Sequence, residues 1–100
     1  MLSKQRQKII IEFFENKPVK NAYLFGSYAR NEESVKSDID ILVDLDYQNG
    51  ADFFMFIDMK ENLSLLLKSK VDLVSSNGLS RHIKPAIESE KVLIYSKKND

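Results

Sequence analysis

Leu24-Phe25-Gly26-Ser27-Tyr28-Ala29-Arg30, a polar loop over residues 31–37, and Asp38-Ile39-Asp40-Ile41-Leu42-Val43 form the stretch that decides the fold. It reads as a strand end, a glycine turn, a short helix start, a loop and a second strand. Gly26 has no side chain, so a bulky anion can approach the backbone there. Ser27 adds a hydroxyl and an N–H at what reads as a helix N-terminus, a place that suits phosphate. Asp38 and Asp40 stand two apart on the second strand, so both side chains leave one face with Cα atoms roughly 6.5–7 Å apart. Two carboxylates on one face repel unless a cation sits between them, and hard oxygen ligands suit Mg²⁺. Together these features describe a site for a metal–nucleotide complex.

The alternation continues along that strand. Ile39, Ile41 and Val43 face one way, and Asp38, Asp40, Leu42 and Asp44 face the other. A calcium loop is excluded, because the run is too apolar and lacks a glycine at the required turn position. Asp44 and Asp46 are expected at or past the strand end, away from the site. Arg30 and Lys36 are the cations nearest the phosphate seat, and Arg30 is counted with Gly26 and Ser27 as a nucleotide-binding residue.

Gly-Ser, ten residues and then Asp-x-Asp resembles the polymerase-beta-like nucleotidyltransferases, and the short length resembles their minimal nucleotidyltransferase (MNT) branch. Lys70-Val71-Asp72-Leu73-Val74 also resembles that family, which places its third carboxylate there. The resemblance covers nearly the whole chain. It implies an α/β (α+β) fold, with a small mixed sheet and helices packed on one face. It also implies that Asp38, Asp40 and Asp72 are catalytic and hold two Mg²⁺ ions, while Gly26, Ser27 and Arg30 hold ATP. Asp72 would take the acceptor's proton. The MNT half of two-gene modules pairs with an all-helical HEPN ribonuclease toxin. By that resemblance the chain is the antitoxin of a type VII-like module, moving AMP from ATP to a tyrosine hydroxyl of the toxin in a hetero-oligomer. Two alternatives stay open: a module that neutralises the toxin by occlusion, and a small-molecule nucleotidyltransferase. Enzymes of the latter kind usually carry an added helical domain.

Composition bounds the rest. One hundred residues make a single small domain over 1–100, with one modest core. Apolar residues are 43% and charged residues 30%, which is ordinary for a globular chain. Fifteen basic and fifteen acidic residues cancel, so direct nucleic-acid and acidic-membrane binding lack the basic surface they need. The absence of cysteine excludes disulfides, thiolate metal sites and cysteine nucleophiles. One histidine excludes a multi-histidine zinc site within one chain. No signal peptide or spanning segment is legible, and a cytoplasmic location is expected.

Helices are predicted over residues 3–16, capped by Ser3 and stopped at Lys17-Pro18, over 52–67, and over 79–89 despite Pro85. In the second of these, Phe53, Phe56, Ile57, Leu63 and Leu67 mark one face. Phe54, Met55, Met59 and Leu66 widen it, so it reads as a thick core helix; the alternative is that Phe54, Met55 or Met59 contributes to a partner interface, where aromatics and methionine are enriched. Strands are predicted at 22–25, 38–44, 71–74 and 92–95. His82 lies in a basic amphipathic stretch and reads as a surface residue.

Overall fold

The structure, a computed structural model, describes residues 2–97. Helix α1 (Lys4–Glu15) leads into β1 (Val19–Phe25), a single turn α2 (Gly26–Ala29) and β2 (Ile39–Leu45). Helix α3 (Phe53–Leu67), β3 (Val71–Ser75), α4 (Lys84–Glu90) and β4 (Val92–Ser96) follow. The strands form one mixed sheet in the order β3-β2-β1-β4. β1 runs antiparallel to β2 and β4, while β2 and β3 run parallel. The parallel pair needs a crossover, and α3 provides it. This is the α/β architecture with a small mixed sheet that the sequence implies.

The alternation of β2 divides the sheet's two faces. Ile39, Ile41 and Val43 enter a core shared with Ala22 and Leu24 of β1 and Val71 and Leu73 of β3. Ile10 and Phe14 of α1, with Met59, Leu63 and Leu67 of α3, complete it, so these two helices cover one face. Each fully buried side chain of this size contributes about 1.5–3 kcal/mol. Ser3 caps α1 by accepting from the Arg6 N–H at 3.2 Å. Arg6 then donates to the Leu67 carbonyl at 3.0 Å and the Ser69 hydroxyl at 3.1 Å, tying the start of α1 to the end of α3. Asp52 caps α3 through the Met55 N–H at 2.8 Å.

Three expectations are corrected. The buried row of α3 runs at four-residue spacing through Met59, Leu63 and Leu67, with Met55 and Phe56 half-buried beside it. Met59 is therefore core, as the thick-core-helix reading has it, whereas Phe53, in the first turn, is 70% exposed instead of buried. The last helix starts at Lys84, not Leu79, with Pro85 in its first turn. A proline lacks the N–H that a helix interior needs, and the first turn is where it is tolerated. β1 begins three residues before Ala22, at Val19. Among the described residues, no helix is long and apolar enough to cross a membrane.

Candidate active site

The face opposite α1 and α3 carries the polar residues of the alternation. Asp40 and Asp72 are Cα partners across the parallel β2–β3 pair, and Phe25 stands opposite Asp40 on β1. The end of β1 is thus fixed beside Asp40. There the chain reverses, from Phe25 at φ −140° to Gly26 at φ +72°. That conformation is in the left-handed region, where glycine alone is unstrained. Space demands glycine as well, since a Cβ at Gly26 would lie 2.1 Å from Asp40 Oδ2 and 2.9 Å from its Cγ. The glycine backbone and the Asp40 carboxylate are therefore in direct apposition. The Arg30 N–H donates to the Gly26 carbonyl at 3.2 Å and the Glu32 N–H to the Ser27 carbonyl at 2.9 Å, which closes the turn. Helix α2 is four residues long. A dipole of that length is small, so what the turn offers an anion is its backbone N–H groups and Arg30.

Asp38 lies just before β2 instead of within it. Strand alternation does not hold its side chain on the Asp40 face, and its carboxylate sits 3.7 Å from Lys70 Nζ. The pair is largely exposed, so it is worth at most about 1 kcal/mol and leaves Asp38 able to turn. Asp72 is exposed, and Asp40 and Ser27 are half-buried. The Ser27 hydroxyl makes no hydrogen bond among the described residues. Asp44 belongs to β2 and accepts from Asn21 Nδ2 at 3.1 Å, while Asp46 is buried and accepts from Asn49 Nδ2 at 2.6 Å. Both are structural. His82 is exposed.

The electrostatics single out Asp40. Burial first, then the charges of Asp72 and Asp38, push its carboxyl up to about 6. Among the described residues, no three carboxylate or imidazole groups converge tightly enough to hold an ion. The donor set nevertheless fits a hard divalent cation. It is all carboxylate oxygen, and Asp40 carries the unneutralised repulsion that such a cation would cancel. A cleft of about 420 Å³ lies at the other end of β2, lined by Leu45, Tyr47, Phe53, Phe56 and Ser75 among others. It is apolar and takes no part in this chemistry.

One residue at the site escaped the sequence reading. Glu90, the last residue of α4, accepts from the Gly26 N–H through Oε2. It also accepts from Arg30 Nη1 at 3.0 and 3.1 Å. Arg30 is held on its other side by Glu32, 2.8 Å from Nε. Sixty-four residues separate Gly26 from Glu90. Glu90 sits in a polar run with no motif around it, so no local signal could have found it.

The family of the chain follows from its similarity to known proteins. Residues 7–100 match the family described as Polymerase beta, Nucleotidyltransferase. The chain belongs to that family of nucleotidyltransferases. A Methanocaldococcus jannaschii protein named as a candidate protein adenylyltransferase is 42% identical over 93 residues, spanning 92% of this chain and 88% of that one. A Thermococcus cleftensis protein named protein adenylyltransferase MntA is 36% identical over 83 residues, 83% of this chain and 82% of the relative. Among solved structures, a candidate minimal nucleotidyltransferase superposes with a TM-score of 0.76 at 27% identity, over 89% of each chain. A chain of the Shewanella oneidensis complex of tri-AMPylated HEPN toxin with MNT antitoxin superposes with a TM-score of 0.71 at 22% identity. That match covers 96% of this chain and 74% of the other, and shows the fold alone.

Proposed function

We propose that the chain is a Mg²⁺-dependent protein adenylyltransferase that moves AMP from ATP to a tyrosine hydroxyl of a HEPN-type toxin, and so acts as the toxin's antitoxin. The observation that carries this reading is the apposition of the Gly26 backbone and the Asp40 carboxylate, with Asp72 in register beside it. It sets an anion seat against a cation seat, as a metal-bound polyphosphate requires. The names of the relatives and the toxin–antitoxin assemblies among the structural neighbours support the choice of acceptor.

In this reading the Gly26 and Ser27 N–H groups, the Ser27 hydroxyl and Arg30 hold the outer phosphates. Asp38, Asp40 and Asp72 hold two Mg²⁺ ions, and the exposed Lys70–Asp38 pair gives way for that purpose. When bound, the ions supply charge stabilisation at the transferring phosphoryl group and make the acceptor hydroxyl more acidic. Asp72 is the most open of the three to an incoming protein and takes the hydroxyl proton. The acceptor oxygen bonds to the α-phosphorus, the bond to the β-phosphate bridging oxygen breaks, and pyrophosphate leaves. The partner docks over the apolar surface left by α3 and its approach, where Phe54 is 82%, Phe53 70% and Tyr47 53% exposed.

The test uses ATP labelled either at the α- or at the γ-phosphate, with Mg²⁺ and the partner. Label reaching the partner from the α position alone supports nucleotidyl transfer. Label from the γ position would indicate a kinase and overturn the reading.

A further inference from the structure

We propose that Glu90 is a built-in competitor for the nucleotide's phosphates, covering their seat until ATP displaces it. The proposal rests on the nucleotide-binding role assigned above to Gly26 and Arg30. Those donors are the ones Glu90 now occupies: Oε2 takes the Gly26 N–H, and both carboxylate oxygens take Arg30 Nη1. A carboxylate and a phosphate oxygen recognise the same donors in the same way, so one seat cannot hold both. Two anions there would also repel.

The placement of Glu90 is otherwise unfavourable. It ends α4, where the helix carbonyls disfavour a negative charge. Its charge also adds to the repulsion already felt by Asp40. Contacts with Gly26 and Arg30 hold it in spite of both. A stronger anion arriving with its own cations removes the reason for it to stay. The Glu90 side chain is still about one-fifth exposed, so it has solvent to swing into. Arg30 keeps Glu32 as a second partner throughout, so the guanidinium remains aimed when Glu90 leaves.

Covering the seat in about nine molecules of ten weakens apparent affinity about tenfold. Calorimetric titration with MgATP, and separately with pyrophosphate, tests this on the wild type, Glu90→Ala, Glu90→Gln and Glu32→Gln. Glu90→Ala is expected to bind both anions about tenfold more tightly. Glu90→Gln should fall between it and the wild type, because its amide oxygen can still accept from Gly26 without the charge. Glu32→Gln should shift affinity less than about threefold, since the Glu32 side chain pairs with Arg30 and not with Gly26. Thermal melts check that each variant folds, and the isosteric Gln carries the test if the Ala variant does not. Unchanged or weaker binding in the Glu90 variants, with the wild type binding normally, overturns the competitor and leaves Glu90 a brace for the turn. No binding of either anion by the wild type and both Glu90 variants sinks the nucleotide seat itself, and the competitor with it.

Discussion

Replacing Gly26 with alanine should damage the protein in two separable ways. At φ +72° an alanine costs about 1–2 kcal/mol of backbone strain. Its Cβ would also meet Asp40 Oδ2 at 2.1 Å and Cγ at 2.9 Å, so the carboxylate must move by more than an ångström. Overpacking of that kind costs about 1–3 kcal/mol. The sum is about 2–5 kcal/mol, measured by urea denaturation. Gly50→Ala is the reference, because Gly50 has φ +99° and nothing within 4 Å of its Cβ position. It should lose only the backbone part. The cycle closes with Asp40→Ala and the Gly26→Ala/Asp40→Ala double variant. Once the carboxylate is gone, the remaining neighbour is the Asp40 Cβ position at 3.2 Å. The double variant should then be more stable than the sum of the singles by about 1–3 kcal/mol. Additivity to within about 0.5 kcal/mol would refute the apposition of turn and carboxylate on which the site is built.

Other outcomes follow from the same geometry. The Asp40 carboxyl rises from 3.8 to about 6, so the folded chain holds an extra proton in that window and stability falls as pH rises through it. Asp40→Asn escapes this loss. Its advantage over the wild type in denaturation without metal should grow from near zero below pH 4 to about 1 kcal/mol above pH 6, the full conversion of about 3 being reduced by exposure. Added Mg²⁺ should raise the wild type's melting temperature above pH 6 and leave Asp40→Asn unmoved, as read by differential scanning fluorimetry. Asp72→Asn, at an exposed position, should keep stability within about 0.5 kcal/mol yet lose transfer activity by at least about a hundredfold in a label-transfer assay. Phe54→Ser should leave stability equally unaffected but weaken partner binding about tenfold, whereas Met59→Ala, 1% exposed, should cost about 2–5 kcal/mol of stability by denaturation.

Much of this was legible where the periodicity is local. The alternation of β2 named both its core row and the Asp40 face, and Ser3 caps α1 where the sequence places a cap. The turn at Gly26 was legible because its chemistry sits within a few residues. β1 was harder. Asn21 is polar in a central strand, and it is satisfied only by partners far along the chain, Asp44 across β2 and the Ser96 hydroxyl on β4 at 2.9 Å. Helix α3 misled for the opposite reason. It is apolar nearly all round, so spacing alone could not choose between a row through Phe53 and Ile57 and the true row through Met59, Leu63 and Leu67. Glu90 and Lys70 reach the site through tertiary contacts that no spacing encodes. Asp38 was placed on the strand by its pattern, although the strand begins one residue later.

Intact-mass spectrometry of the partner tests the central claim most directly. The partner is incubated with this protein, Mg²⁺ and ATP, beside a reaction containing the Asp38→Asn/Asp40→Asn variant. The expected result is a partner heavier by whole AMP increments on a tyrosine, with no change in the variant's reaction. A partner of unchanged mass that is still neutralised by both proteins would contradict catalysis and leave occlusion as the mode of action.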